Sequence, residues 1–178
     1  MLLFKKFQDL TVTKTLRRPN LKLTVPVLGN SKVGATAGWV ITGGTNIAHA
    51  TLPASQTSST LIINLSGHLE PGDTLKSLWL NGQAESAGAN VAMTLSLRRV
   101  RSAAADNEDT ELGTKSTGNF TADTLFTFNN TGISLEGASG SNGALVQEDS
   151  VYYLRITGTT AASTDIDLLS VTMVVDKS

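Results

Sequence analysis

Alternation of apolar and polar residues with a period of two constrains the fold of this chain more than any other sequence feature. The clearest example runs from Val91 to Arg98, where every second residue is a large apolar one. Residues 21–27, 151–157 and 169–175 follow the same pattern. Because successive side chains of a strand point to opposite sides, the pattern predicts strands with one buried face.

Helical patterns are missing between these predicted strands. No segment there has the periodicity of an amphipathic helix of about 12 residues, which excludes parallel βαβ units. Thr and Ser make up 41 of the 178 residues and Gly another 16, a composition typical of strands joined by many turns. We therefore predict an all-β chain, folded as an antiparallel, jelly-roll-like β-sandwich with an extended N-terminal arm.

Charge divides the chain into two parts. Residues 1–38 carry seven basic residues and one acidic residue, whereas residues 39–178 carry seven basic and 14 acidic residues. A basic arm on an acidic body indicates that at least one of them contacts a partner. We divide the chain into a basic arm with an edge strand (1–38), a loop-rich connection with one or two short strands (39–59) and the sandwich (60–178).

Several shorter patterns give local expectations. The apolar run at 60–65 predicts a strand buried on both faces. Residues 74–80 predict a strand that ends at Asn81 and Gly82, a turn-forming pair. A further strand is expected at residues 125–128, and an acidic loop at 106–111.

The residue inventory argues against reactive chemistry. The chain has no Cys and only two His, His49 and His68, which excludes thiol chemistry, disulfides and Cys-based zinc sites. A catalytic His needs a nucleophile and an orienting carboxylate, and Ser66 and Glu70 diverge from His68 along a strand end. The acidic loop lacks the glycine and spacing of an EF-hand, so we interpret it as solvated rather than as a Ca²⁺ site. We predict no enzyme activity, no cofactor and no metal.

Membranes and nucleic acids are not expected partners. The N-terminus is apolar first and basic second, the reverse of a secretory signal, and no segment approaches the roughly 20 apolar residues of a transmembrane helix. Arg17 and Arg18 could contact nucleic acid. However, the arm lacks interleaved aromatic residues for base stacking, and the acidic body would repel a phosphate backbone.

Three segments resemble a known class of domain. They are residues 69–76, residues 92–101 and above all residues 148–166, with the sequence EDSVYYLRITGTTAASTDI. They resemble the jelly-roll-like β-sandwich domains of tailed-bacteriophage virion proteins, such as capsid decoration (cement) proteins and tail-associated proteins. The resemblance covers about residues 60–176 and contains no catalytic motif.

The resemblance implies a non-enzymatic virion protein on the capsid surface, first of all a capsid decoration protein. Its partners would be the major capsid protein or another virion protein, together with further copies of itself, a trimer being favoured. The arm would supply apolar anchors and positive charges: Leu2, Leu3, Phe4, Lys5, Lys6, Phe7, Arg17 and Arg18. The first ten residues could equally pack on the body of their own chain.

Two groups on the body are candidate contact residues. Alternation puts Trp79 on the opposite face from Leu78 and Leu80, so Trp79 points outward if those two face the core, as expected of an interface residue. The second group ends the clearest strand and is either an edge protected by positive charge or a contact for an acidic partner surface: Arg98, Arg99 and Arg101.

A function of another class fits the same sequence. Trp39, Trp79, Tyr152 and Tyr153 could form a sugar-stacking platform in a carbohydrate- or receptor-binding module of a tail or fibre. In a chain so poor in aromatic residues, core or subunit-interface positions are the alternative. Loss of glycan binding after substitution of a Trp or Tyr would favour the module. Loss of capsid association after deletion of residues 1–18 would favour decoration.

Overall fold

A computed structural model describes residues 18–34, 38–43, 48–86, 90–102, 107–137 and 143–178. In these ranges the chain forms 13 strands, numbered β1 to β13 in chain order, one helical turn, α1 (Phe128–Thr131), and one 3₁₀ turn (Ser66–His68). The strands make two antiparallel sheets of eight and five strands, called sheet I and sheet II.

Sheet I is built around two long strands. β6 (Thr74–Ser86) and β13 (Thr164–Lys177) pair along almost their whole length. The other side of β13 pairs first with β4 (Ala48–Leu52) and then with β1 (Arg18–Pro26), while β3 (Val40–Gly43) pairs with β4. The other side of β6 pairs with three two-residue strands: β9 (Thr124–Leu125), β10 (Ile133–Ser134) and β11 (Ala144–Leu145).

Sheet II has a simpler order. Its five strands are, from one side to the other, β2 (Ser31–Val33), β5 (Ser59–Asn64), β12 (Ser150–Thr159), β7 (Val91–Ser102) and β8 (Asn107–Phe120). The apolar faces of the two sheets meet in one core, which includes the fully buried Leu80 and Met173 of sheet I and Leu95 and Ile156 of sheet II. This arrangement confirms the predicted all-β class and antiparallel β-sandwich.

β6 continues through the pair predicted to be a turn. The strand does not end at Asn81 and Gly82 but extends to Ser86. β13 comes so close to it that a Cβ atom on Gly82 would overlap the carbonyl oxygen of Asp167, next to a bulge between Leu168 and Ser170. The glycine is therefore needed for close backbone approach within a strand, and not for a turn.

The predicted strand at 125–128 is wrong beyond its first residue. β9 contains only Thr124 and Leu125, and α1 begins at Phe128. The backbone N–H of Thr127 donates to Asn130 Oδ1 at 2.8 Å, and the Thr131 hydroxyl donates to the carbonyl oxygen of Thr127 at 2.9 Å. Such local side-chain hydrogen bonds compete with strand pairing, which explains the helical turn.

The acidic segment is a strand and not a loop from Asn107 onward, while Asp106 lies outside the described residues. Asp109 and Glu111 lie 2.9 Å and 3.5 Å from the Arg98 guanidinium on the neighbouring strand β7. Cross-strand pairs of opposite charge stabilise a strand that the acidic composition disfavours.

The strand predicted at 60–65 also differs from the expectation, because β5 buries one face only: Leu61 is fully buried, whereas Ile62 is half-buried.

Residues 18–59 contribute to both sheets. They were predicted as part of an arm and a loop-rich connection, and the structure places β1, β3 and β4 in sheet I and β2 in sheet II. The body of the sandwich therefore includes strands that precede residue 60. Residues 1–17, which hold most of the predicted arm, lie outside the described residues.

A buried carboxylate ties the start of β6 to the end of β13. The Asp73 side chain is fully buried. Its Oδ2 accepts hydrogen bonds from Lys177 Nζ at 2.7 Å and from the backbone N–H of Glu70 at 2.8 Å, and its Oδ1 accepts one from the N–H of Ser178 at 3.3 Å. The preceding Gly72 has a φ of 92°, a left-handed conformation that glycine adopts without strain.

Candidate functional site

The outward side of sheet I carries an aromatic and polar surface. In β6, Leu78 and Leu80 are fully buried, so the alternating Trp79 points outward. Trp79 is opposite Thr172 of β13, which is in turn opposite Thr24 of β1. We call this side the outer surface of sheet I and define it by Lys22, Thr24, Trp79, Asn81, Gln83, Asp167, Ser170 and Thr172.

The Trp79 ring is held from two directions. Its centroid lies 5.8 Å from that of Phe128, at an interplanar angle of 87°, an edge-to-face arrangement. Lys22 Nζ lies 5.8 Å from the same Trp79 centroid. An exposed cation–π contact contributes only about 0.5–1 kcal/mol, so a ligand can displace the flexible ammonium. The half-buried indole is thus a fixed aromatic platform at the protein surface.

Asn81 is fixed beside this platform. Its Nδ2 donates to Ser170 Oγ at 2.9 Å and to Thr172 Oγ1 at 2.8 Å. These two donations orient the amide across the gap between β6 and β13. Asn81 is therefore a preorganised polar group, whose carbonyl oxygen is an acceptor for a ligand hydroxyl.

A cleft of about 500 Å³ continues the surface between β6, β13 and β9. Its walls are Leu125, which is 71% exposed, and Leu169, which is 39% exposed. The remaining lining residues are His49, Asn81, Gly82, Gln83, Phe126 and Asp167. Apolar walls with a few convergent polar groups are typical of small-molecule sites.

Internal hydrogen bonds hold the polar groups of the cleft. Asp167 Oδ1 accepts a hydrogen bond from the Thr51 hydroxyl at 2.5 Å and lies 3.8 Å from His49 Nε2. Gln83 Nε2 donates to Glu85 Oε1 at 2.6 Å. These side chains thus offer hydrogen-bonding atoms in set positions, as recognition of a polar ligand requires.

Three carboxylates meet at one end of the cleft. One oxygen each from Glu85, Asp165 and Asp167 lies within 4.8 Å of the others. Burial, followed by the charges of Glu85, Asp167 and Asp123, raises the pKa of Asp165. Its buried Oδ1 has no hydrogen-bond partner among the described residues. Three carboxylates alone fall short of the roughly 6–8 oxygen ligands of Ca²⁺, so we assign no metal to them.

Replacing Asp165 by asparagine is expected to raise the free energy of unfolding at pH 7 by a few tenths to about 1 kcal/mol, because it removes a like charge directly opposite Glu85. Folding raises the pKa of Asp165 above its value in the unfolded chain, near 3.8. The free energy of unfolding therefore falls as the pH rises from about 3.8 through the pKa of Asp165 in the folded protein. The gain should therefore be complete at pH 7 and shrink toward pH 3.8. Urea unfolding across this range measures it, and equal stability of both proteins at pH 7 would contradict the expectation.

The three predicted arginines lie on an inner strand. β7 pairs with β12 on one side and β8 on the other, so protection of a sheet edge does not explain them. The hydrogen bond from Arg98 lowers the pKa of Asp109. Arg99 Nη1 donates to Gln147 Oε1 at 3.0 Å, and Arg101 is exposed. Contact of these residues with a partner stays a prediction.

Of the predicted arm residues, the structure describes Arg18. Arg18 begins β1, where its backbone pairs with Lys177. The other seven lie outside the described residues: Leu2, Leu3, Phe4, Lys5, Lys6, Phe7 and Arg17. Their role in docking therefore stays a prediction.

The four aromatic residues considered as a sugar platform do not come together. Trp39 is buried and its Nε1 donates to the carbonyl oxygen of Ser59, while Tyr152 is buried in the core. Tyr153 hydrogen-bonds Asp109 on sheet II. Of the four, Trp79 alone belongs to the outer surface of sheet I.

Sequence reasoning missed most partners of Trp79. Asn81, Gln83 and Asp167 line the cleft, and Phe128 supports the ring. The alternation that places Trp79 outward would also have placed Asn81 and Gln83 outward, had the strand not been ended at Gly82. Nothing in the local sequence brings Phe128 to Trp79, because that contact depends on α1.

Comparisons with known proteins identify the fold. No family model matches the sequence, and no curated protein does either. Among solved structures, the xylan-binding module CBM15 matches with 14% identity and a TM-score of 0.52, over 87% of this chain and 96% of that one. The CBM22-1 xylan-binding domain of Paenibacillus barcinonensis Xyn10C matches with 9% identity and a TM-score of 0.50, over 90% and 98%.

A third match is to a larger protein. The CBM22-1–GH10 modules of Clostridium thermocellum xylanase 10B match with 14% identity and a TM-score of 0.49, over 91% of this chain but only 28% of that one. This chain thus spans less than a third of that protein.

In the described ranges, no helix has the length and apolar composition that crossing a membrane requires.

At these identities the first two matches establish architecture alone. They agree with the β-sandwich that the resemblance to virion domains implied, and they do not extend to capsid decoration. The chain has the antiparallel β-sandwich fold of jelly-roll type.

Proposed function

We propose that the chain is a non-catalytic carbohydrate-binding module that holds a glycan along the outer surface of sheet I. The observation that carries this proposal is the fixed Trp79 ring beside Asn81 and the cleft. An aromatic ring stacks on the apolar C–H face of a sugar, while amide and carboxylate groups bind its hydroxyls. The surface offers both kinds of group within one continuous area.

The reach of the surface suits a short oligosaccharide. Trp79 and Gln83 are four residues apart on β6, which corresponds to about 13 Å of extended strand. One sugar would stack on Trp79, and the next ones would pass Asn81 and enter the cleft beside Gln83 and Asp167. The Trp79 indole and the carboxamides of Asn81 and Gln83 supply no acid, base or nucleophile at neutral pH, so these three groups bind a ligand without transforming it.

The solved structures support this choice of ligand class. The CBM15 module and the Paenibacillus CBM22-1 domain, which share the architecture, are both described as xylan-binding. Neutral β-linked oligosaccharides such as xylohexaose and cellohexaose are therefore the first probes. Carbohydrate binding was the alternative function predicted from the sequence, and the comparisons favour it over capsid decoration.

Replacing Trp79 by alanine is expected to weaken binding of the hexasaccharide by about 2 kcal/mol, roughly 30-fold, because a central aromatic anchor contributes this much. Isothermal titration calorimetry with xylohexaose and cellohexaose measures the change. Trp79→Phe should retain part of the affinity, because it keeps a smaller ring.

A matched control separates the site from the fold. Val151 is an exposed apolar residue on sheet II, 49% accessible, and Val151→Ala should bind as the unmodified chain does. Thermal unfolding of each variant checks that it is folded. No binding of any neutral hexasaccharide by the unmodified chain, or equal binding by Trp79→Ala, would refute the proposed function.

A further inference from the structure

The charges around the outer surface of sheet I differ between its two ends. At one end Lys22 lies over the Trp79 ring, and Lys76 pairs with the carboxylates of Glu136 and Asp176. The carboxylates of Glu85, Asp165 and Asp167 meet at the other end, by the cleft. A fourth carboxylate, Asp123, accepts a hydrogen bond from the N–H of Ser86 at 2.9 Å and raises the pKa of Asp165 by its charge.

A ligand that spans the surface must pass this acidic end. Trp79 is opposite Thr172 and Gln83 is opposite Asp167, so Asp167 lies about 13 Å along the strands from Trp79. A glycan that stacks on Trp79 and reaches the cleft therefore comes close to several carboxylates. Ligand charges that come within about 10 Å of these carboxylates are only partly screened, since the Debye length is about 10 Å at 0.1 M ionic strength.

Among the residues that the structure describes, the cations next to these carboxylates are too few to balance them. Asp167 faces the His49 imidazole at 3.8 Å, a group that carries at most one positive charge beside four carboxylates. At the far end lie Lys22 and Lys76, and Lys76 is already paired with Glu136 and Asp176. Each carboxylate that a polyuronate brings toward the cleft would therefore meet excess negative charge, whereas an uncharged chain would not.

We infer that the outer surface of sheet I selects uncharged oligosaccharides and rejects polyuronates of the same length. The inference rests on the proposed function and specifies the ligand class of that same site. The carboxylates of Glu85, Asp165 and Asp167 repel an anionic ligand at this site. Selectivity often depends on such unfavourable contacts with the wrong ligand.

The test compares neutral and anionic hexasaccharides. Calorimetric titrations with xylohexaose, cellohexaose and hexagalacturonate at pH 7.5 should show at least about tenfold weaker binding of the uronate at about 10 mM ionic strength. The difference should shrink at about 1 M, where the Debye length is about 3 Å. In the double variant Glu85→Gln/Asp165→Asn, the ratio of the neutral to the anionic affinity should fall several-fold.

The control removes the same charge elsewhere. Glu108 lies on β8 of sheet II and Asp149 lies in the turn before β12, and both are exposed. The double variant Glu108→Gln/Asp149→Asn should therefore leave the ratio of the neutral to the anionic affinity unchanged. Equal binding of neutral and anionic hexasaccharides would overturn the inference. An equal change of the affinity ratio in both double variants would overturn it as well. The proposed function survives either result. If no neutral hexasaccharide binds, the proposed function and the inference both fall.

Discussion

Replacing Asp73 by alanine is expected to lower the free energy of unfolding at pH 7 by about 3 kcal/mol, because it removes a fully buried carboxylate that accepts three hydrogen bonds, one of them from the partly exposed Lys177. The change leaves Lys177 Nζ and the N–H groups of Glu70 and Ser178 without their acceptor. It also loosens the connection between the start of β6 and the end of β13. Chemical denaturation followed by tryptophan fluorescence measures the loss.

The same carboxylate predicts the acid dependence of stability. Burial alone would raise the pKa of Asp73, but the hydrogen bonds from Lys177, Glu70 and Ser178 outweigh it and lower the pKa. A lowered pKa means that the carboxylate stabilises the fold fully above its unfolded value near 3.8 and loses this effect as the pH falls through the folded value. Asp73→Ala should therefore flatten the acid side of the stability profile.

An exposed neighbour serves as the control. Glu70 has a side chain 78% exposed and lies 4.0 Å from Lys177 Nζ, so Glu70→Gln should change stability by less than about 0.5 kcal/mol. If Asp73→Ala is no more destabilising than Glu70→Gln, the hydrogen bonds of Asp73 do not have the role assigned to them.

Replacing Gly82 by alanine is expected to destabilise the fold by about 3 kcal/mol, at the upper end of the usual cost of overpacking. The new Cβ atom would overlap the carbonyl oxygen of Asp167, and backbone atoms cannot move aside as a flexible side chain can. β6 and β13 would have to separate at the bulge beside the cleft. Gly82→Ala should therefore also weaken glycan binding, since Asn81 and Asp167 shift with the strands.

Gly67 provides the matched comparison. A Cβ atom there would meet no atom within 4 Å, so Gly67→Ala should change stability by less than about 0.5 kcal/mol. Thermal and urea unfolding of both variants measure the contrast. Equal stability of the two variants would show that β6 and β13 have room for a side chain at residue 82.

The periodicity of the sequence predicted most of the fold, because it depends on residues next to one another. Alternation located β7, β12 and β13, and it set Trp79 on the face opposite to Leu78 and Leu80. It failed where a long-range contact decides the local structure. At Gly82 the approach of β13 requires a glycine within a strand, and a local pattern cannot distinguish this requirement from a turn.

The candidate site was harder to predict for the same reason. Asn81 depends on Ser170 and Thr172, which lie about 90 residues away in sequence. Phe128 reaches Trp79 through a helical turn that the apolar residues around it did not indicate. The sequence showed which aromatic residue faces outward, but the groups around that residue are assembled by strand pairing.

The central place of β13 has a consequence for how the chain acquires its structure during synthesis. β13 pairs with β6 on one side and with β4 and β1 on the other, and its first residue is Thr164. Until the ribosome releases that segment, β1, β4 and β6 have no central neighbour and expose unpaired backbone edges. Sheet I must therefore assemble late, by closure of loops up to about 160 residues long, and such non-local pairing makes folding slow.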